Sequence, residues 1–91
     1  MTVRTLANRP DIVALIDDER ERQAAKFGGL HGWGIGDCSS RRLPEIVKVA
    51  VLTEECGEVA RAVLVQLDDT ELIAELVQVA AVSIAWLSEL I

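Results

Sequence analysis

The segment LTEECGEVARAVL, residues 52–64, places glutamates at 54, 55 and 58 inside an otherwise aliphatic run. With Leu43 set at zero and about 100° per residue, Val47 falls near 40°, Val51 near 80° and Val65 near 40°. On the same wheel Glu54, Glu58 and Glu55 fall at about 20°, 60° and 120°. The acids therefore lie on or beside the apolar stripe of a helix. Glutamates on a solvated helix face are normally laced with Lys or Arg three or four positions away. Here Glu54 has Glu58 at i+4, a like-charge pair that opposes helix formation, and Glu55 has no basic neighbour at that spacing. Only Glu58 has a partner within reach, Arg61. Carboxylates without counter-charges on an inward face call for a cation or a shared proton.

Working outward, this helix is expected to start near Leu43-Pro44-Glu45, where proline is tolerated in a first turn, and to run to about Gln66. Asp68-Asp69-Thr70 supplies a short turn and N-cap candidates for a further helix reaching residue 91. So short a link predicts an antiparallel hairpin. The last helix contains ELVQVAAVSIAWL, residues 75–87, and its aliphatics spread around nearly the whole circumference. A helix apolar all round is buried all round. Three helices cannot enclose one of their own number, which predicts a homodimer or homotetramer that completes a four-helix core.

Upstream, an amphipathic helix is expected from Pro10 to Phe27, with proline early and glycine late. Ile12, Ile16 and Phe27 share a face with Glu19, Arg20 and Gln23, so the stripe turns polar in its second half. Between the helices lies GGLHGWGIGDCSSRR, residues 28–42, with five of the six glycines. It reads as a long Gly-rich loop without periodicity, and loops of that kind in small domains carry function. Residues 1–9 read as a flexible N-terminus.

The chain of 91 residues reads as one all-α domain, rich in aliphatics and poor in aromatics. A net charge of −6 argues against a nucleic-acid partner, whose phosphates need clustered Lys and Arg. It argues against anionic lipid for the same reason. The N-terminal stretch lacks the apolar core of a secretory signal, and the uncharged run 76–88 is short for a bilayer span, so a cytoplasmic location is expected. Cys38 and Cys56 form no CxxC pair and read as free thiols.

On the last helix Glu75 and Gln78 project together, so the hairpin can bring them opposite Glu55 and Glu58. Four oxygen-bearing side chains at i,i+3 spacing on facing helices suit a hard cation, Mg²⁺ or Mn²⁺. At this point the residues resemble the MazG-like all-α nucleotide pyrophosphohydrolases, whose split motif is ExxE followed by ExxD on two antiparallel helices. EECGE carries Glu55 and Glu58; ELVQ carries Glu75 and, where the broad family has Asp, Gln78. The segment ERERQAAKFGGLH, residues 19–31, is similar to the ER.RQ..K.G..H stretch of small phage and bacterial members.

The resemblance implies Mg²⁺-dependent hydrolysis of a nucleoside triphosphate to the monophosphate and pyrophosphate. It implies Glu55, Glu58, Glu75 and Gln78 as metal ligands, with Glu54 either supporting those ligands or activating water, and Glu54, Glu55 and Glu58 as the catalytic set. Glu19, Arg20, Gln23, Lys26, His31 and Trp33 are the candidate substrate-binding residues, with His31 as a hydrogen-bond donor and Trp33 as a stacking platform. Arg22 is expected to serve solubility on the surface, and Trp86 to serve packing. Two alternatives stand beside this reading. One is a module on the same fold that binds nucleotide or metal without hydrolysis. The other is a helical oligomerisation module in which the acids meet Arg41 and Arg42 of another subunit.

Overall fold

The computed structural model describes residues 3–66 and 68–91. In chain order, a single 3-10 turn (Leu6–Asn8) precedes helix α1 (Pro10–Phe27), strands β1 (Leu30–His31) and β2 (Gly34–Ile35), helix α2 (Glu45–Leu64) and helix α3 (Asp69–Leu90). The all-α character expected from composition is present. Helix α1 has the expected bounds, with Pro10 at its start and with Asp11 in its first turn and Lys26 in its last complementing the partial charges of the helix ends. The tail expected over 1–9 is not wholly irregular, since the 3-10 turn leads directly into α1; residues 1–2 lie outside the described residues.

The Gly-rich segment departs from the expected loop in containing a small antiparallel hairpin, with Leu30 opposite Ile35 and His31 opposite Gly34. Gly36 takes φ +91°, and a Cβ there would collide with the Ser40 side chain. That glycine lets the chain fold back so that its N–H donates to the Gly29 carbonyl at 2.9 Å. Two-residue strands carry too little side-chain alternation to be legible in a sequence.

Helix α2 ends at Leu64, two residues short of the expected Gln66, because Gln66 adopts the left-handed conformation with φ +56°. Asp68 caps α3 by accepting from the Glu71 N–H at 3.0 Å. Helix α3 packs against both α1 and α2. The contact is close because Ala62, Ala81 and Ala85 are buried at the crossings, and Cys38, Leu43 and Val82 fill the space beneath the loop.

The inward face of α2 is rotated from the one the sequence suggested. Half-buried or buried positions include Val47, Val51, Glu55, Glu58 and Ala62, together with Lys48, an arc from about 40° to 180° on the same wheel. Glu54, Ala50 and Val65 are exposed, so Glu54 stands at the edge of that face rather than on it. Lys48 is 0% exposed, and its Nζ lies 3.4 Å from Oε1 of Glu89 on α3 without a well-formed hydrogen bond.

Residues 77–86 of α3 include no exposed side chain, yet Ile73, Leu76, Leu87 and Leu90 toward its ends are half exposed or more. Burial all round is thus only partly met within one chain: Ala81, Val82 and Ala85 are buried, the rest of 77–86 is half-buried, and the ends are mostly exposed. The accessible surface is 6587 Å², against about 5200 Å² for a typical folded monomer of 9.9 kDa. The radius of gyration is 14.1 Å, where about 12 Å is usual for this length.

Candidate functional site

A cleft of about 530 Å³ opens between the second half of α1, the hairpin and its following loop, and the facing sides of α2 and α3. Its polar lining includes Glu19, Arg22, Gln23 and Lys26 from α1, Glu54 and Glu55 from α2, and Gln78 from α3. Phe27, His31 and Trp33 close it on the hairpin side. The helical spacing of 19, 22, 23 and 26 puts those four α1 side chains on one stripe, and the polar turn in that stripe is what makes the cleft wall hydrophilic.

Glu55 is the electrostatic centre. Burial pushes its carboxyl above the usual carboxylate range, and the charges of Glu75, Glu54, Glu19 and Glu58 push in the same direction. Acids from all three helices therefore bear on Glu55, Glu19 of α1 included. Glu58 and Glu75 are half-buried and act on Glu55 without lining the cleft. One oxygen of Glu55 and one of Glu75, Oε2 in each, is buried with no hydrogen-bond donor. The Glu58–Arg61 pair offered by helix spacing is not formed among the described residues.

Several expected substrate-binding residues hold the scaffold instead of facing the cleft freely. Arg20 does not line the cleft; its guanidinium donates to Asp37 Oδ2 at 3.1 Å and to Gln23 Oε1 at 3.0 Å, tying α1 to the loop. Burial would raise the Asp37 carboxyl, but hydrogen bonds from Ser39 and Arg20 outweigh it and keep the group below its ordinary value. His31 has both ring nitrogens engaged. Nδ1 accepts from the Trp33 N–H at 3.3 Å, so Nε2 carries the proton and donates to the Gly36 carbonyl at 2.8 Å. This neutral tautomer braces the hairpin.

Trp33, by contrast, is 70% exposed at the cleft mouth, with its ring tilted against His31 at 6.1 Å between centroids. The Lys26 ammonium lies 5.1 Å from the Phe27 ring centroid and forms no ion pair among the described residues. Cys38, also on the lining, is buried, and that burial together with the Asp37 charge raises its thiol, which stays protonated at neutral pH.

Residues that the sequence reading left out of the site are Arg22, Phe27, Asp37 and Cys38 on the lining. Arg22 was legible in principle, since it sits three residues beyond Glu19; Asp37 and Cys38 reach the cleft only through the fold of the loop. Among the described residues, no three His, Cys, Asp or Glu side chains converge as a ready-made ion cage. Mg²⁺ rarely uses one, because it typically takes one or two carboxylates and fills its octahedron with water and phosphate oxygens. The donor-free oxygens of Glu55 and Glu75 fit that mode of binding. The chain matches no protein-family model, and neither curated proteins nor solved structures include a significant match to it.

Proposed function

We propose that this protein is a Mg²⁺-dependent nucleoside triphosphate pyrophosphohydrolase, with Mn²⁺ as an alternative ion. The single observation that carries the reading is the pair of buried, donor-free carboxylate oxygens on Glu55 and Glu75 within a ring of further acids beside an open cleft. Folding half-buries Glu55 where the charges of four other carboxylates bear on it and leaves one oxygen each of Glu55 and Glu75 without a donor, an arrangement that is costly unless a cation completes it. The resemblance to MazG-like enzymes concerns the same residues.

In this reading Glu55 and Glu75 hold the ion, with Glu58 and Gln78 supporting through their side-chain oxygens. A divalent ion held there would supply charge neutralisation on the triphosphate, easing attack by water at phosphorus. Glu54, exposed at the edge of the α2 face and on the cleft lining, accepts a proton from the attacking water. Water adds at the α-phosphorus, the bond to the bridging oxygen breaks, and pyrophosphate leaves. Lys26 meets the polyphosphate, while Trp33 offers a face to the base, held out by the His31-braced hairpin. Arg20 positions the loop through Asp37 instead of touching substrate.

The test is pyrophosphate release from a panel of ribo- and deoxynucleoside triphosphates with Mg²⁺ or Mn²⁺. Glu58→Gln is expected to abolish release with helicity retained; full activity in that variant would remove Glu58 from the site. Tight triphosphate binding with no product would favour the non-hydrolysing alternative.

The assembly proposed with this function is a homodimer or homotetramer. It is supported by the surface excess of roughly 1400 Å² over a typical monomer and by the half-exposed Leu76, Leu87 and Leu90 on α3. Helix α3 is also long and apolar enough by length and composition to cross a membrane. Glu75, Gln78 and Glu89 along it, and its packing against α1 and α2, support a protein core as its setting.

A further inference from the structure

Arg22, expected on the surface, lines the cleft instead. Its Nε donates to Glu19 Oε1 at 2.8 Å and its Nη2 to Glu19 Oε2 at 2.6 Å, a two-pronged pairing that occupies both oxygens of the carboxylate. The Glu19 side chain is only 12% exposed, whereas that of Arg22 is 57% exposed, so the guanidinium covers the acid from the solvent side. Both residues line the cleft together with Glu55. The positive charge of Arg22 is reinforced by Glu19 first and by Glu55 as well, which places it within reach of the acidic cluster's field.

Such a group faces two demands. Without an ion, Glu19 and Glu55 repel each other and a cationic neighbour relieves them. With an ion in place, that neighbour is redundant among the acids and is itself repelled. The guanidinium is the exposed partner of the pair, so it can swing out toward the cleft while Gln23 Nε2, 3.4 Å from Glu19 Oε2, stays with the acid. A planar fork that fits a carboxylate also fits a phosphate.

We propose that Arg22 is an exchangeable counter-ion: it neutralises Glu19 beside Glu55 in the ion-free protein, and it transfers to the polyphosphate of the substrate when a divalent cation takes over the acids. This inference rests on the pyrophosphohydrolase reading of the same cleft. It makes Arg22 a substrate-binding residue whose availability depends on the metal, so ion and triphosphate bind cooperatively through it.

The experiment measures Mn²⁺ affinity by the loss of the free-ion paramagnetic resonance signal, for wild type, Arg22→Gln and Arg22→Lys, first without nucleotide. The same proteins are then titrated with a non-hydrolysable triphosphate at saturating Mn²⁺. Circular dichroism confirms folding, and Arg22→Lys keeps the charge while losing the fork. Arg22→Gln is expected to bind Mn²⁺ several-fold more tightly than wild type and the triphosphate at least tenfold more weakly, a tenfold change being about 1.4 kcal/mol. Arg22→Lys is expected between them on both readouts. Wild type that binds Mn²⁺ with Arg22→Gln unchanged or weaker overturns the exchange while leaving the hydrolase reading standing. Wild type that binds no Mn²⁺ overturns both.

Discussion

At the scale of single residues, Glu55 concentrates the tension in the molecule. Its folded carboxyl is raised, first by burial and then by Glu75 and the other acids. For a group raised above its unfolded value, the unfolded chain gives up its proton first. Stability is therefore full below the ordinary value of 4.5 and declines as pH rises through the folded value. Without divalent ions, Glu55→Gln is expected to be more stable than wild type at neutral pH. Losing one like charge is worth about 0.5 kcal/mol, or a rise in Tm of roughly 2–4 °C for a domain of this size. The difference should vanish near pH 4, and thermal melts across pH 4 to 8 check it. A variant less stable than wild type at neutral pH would mean that Glu55 serves the fold rather than a site. Active sites commonly gain stability when a catalytic charge is removed.

At the scale of elements, α2 and α3 are tied at their open end by Lys48 and Glu89. Lys48 occupies a fully buried position on the inward face of α2, one heptad before Glu55, so one helix face carries a buried ammonium and a half-buried carboxyl at two levels. Breaking a buried pair from one side leaves an uncompensated charge, which typically costs about 3–5 kcal/mol. Glu89→Gln is expected to lose several kcal/mol in urea unfolding; Lys48→Met combined with Glu89→Gln, which removes both charges, is expected near neutral or stabilising. Equal losses in the two variants would refute this asymmetry. The wheel drawn from aliphatic residues pointed α2 toward Glu54 because it counted Leu43 and Val65, which lie just outside the helix, and discounted Lys48 as polar. Hydrophobic periodicity locates a helix well and its inward direction less well when a buried charge pair occupies the core.

At the scale of the whole molecule, the small buried core and the large residual surface fit a chain that finishes folding against copies of itself. Leu52, Ser83, Trp86, Leu87 and Leu90 line a second, apolar cleft on the outer side of the α2–α3 hairpin, where the Trp86 Nε1–H is buried without an acceptor. Leu87 is 51% exposed there, so a charge at that position should leave the single chain folded while disrupting an apolar contact with another subunit. Light scattering at micromolar concentration is expected to give a multiple of 9.9 kDa for wild type and the single-chain mass for Leu87→Glu. A wild-type mass of one chain would remove the assembly from the proposal.

The sequence by itself determined the three helices, because Pro10, Pro44, Asp68 and the aliphatic spacing act within a few residues of where they stand. It also marked Glu55, Glu58, Glu75 and Gln78 as polar side chains interrupting apolar stretches, since hydrophobic spacing is a local fact. Only the tertiary structure decided that Glu19 joins the acids, that Arg20 braces Asp37 while Arg22 faces the cleft, and that both nitrogens of His31 are already engaged. Those outcomes depend on which elements meet and at what rotation. Packing of Ala62, Ala81 and Ala85, rather than any local preference, sets how closely the helices approach.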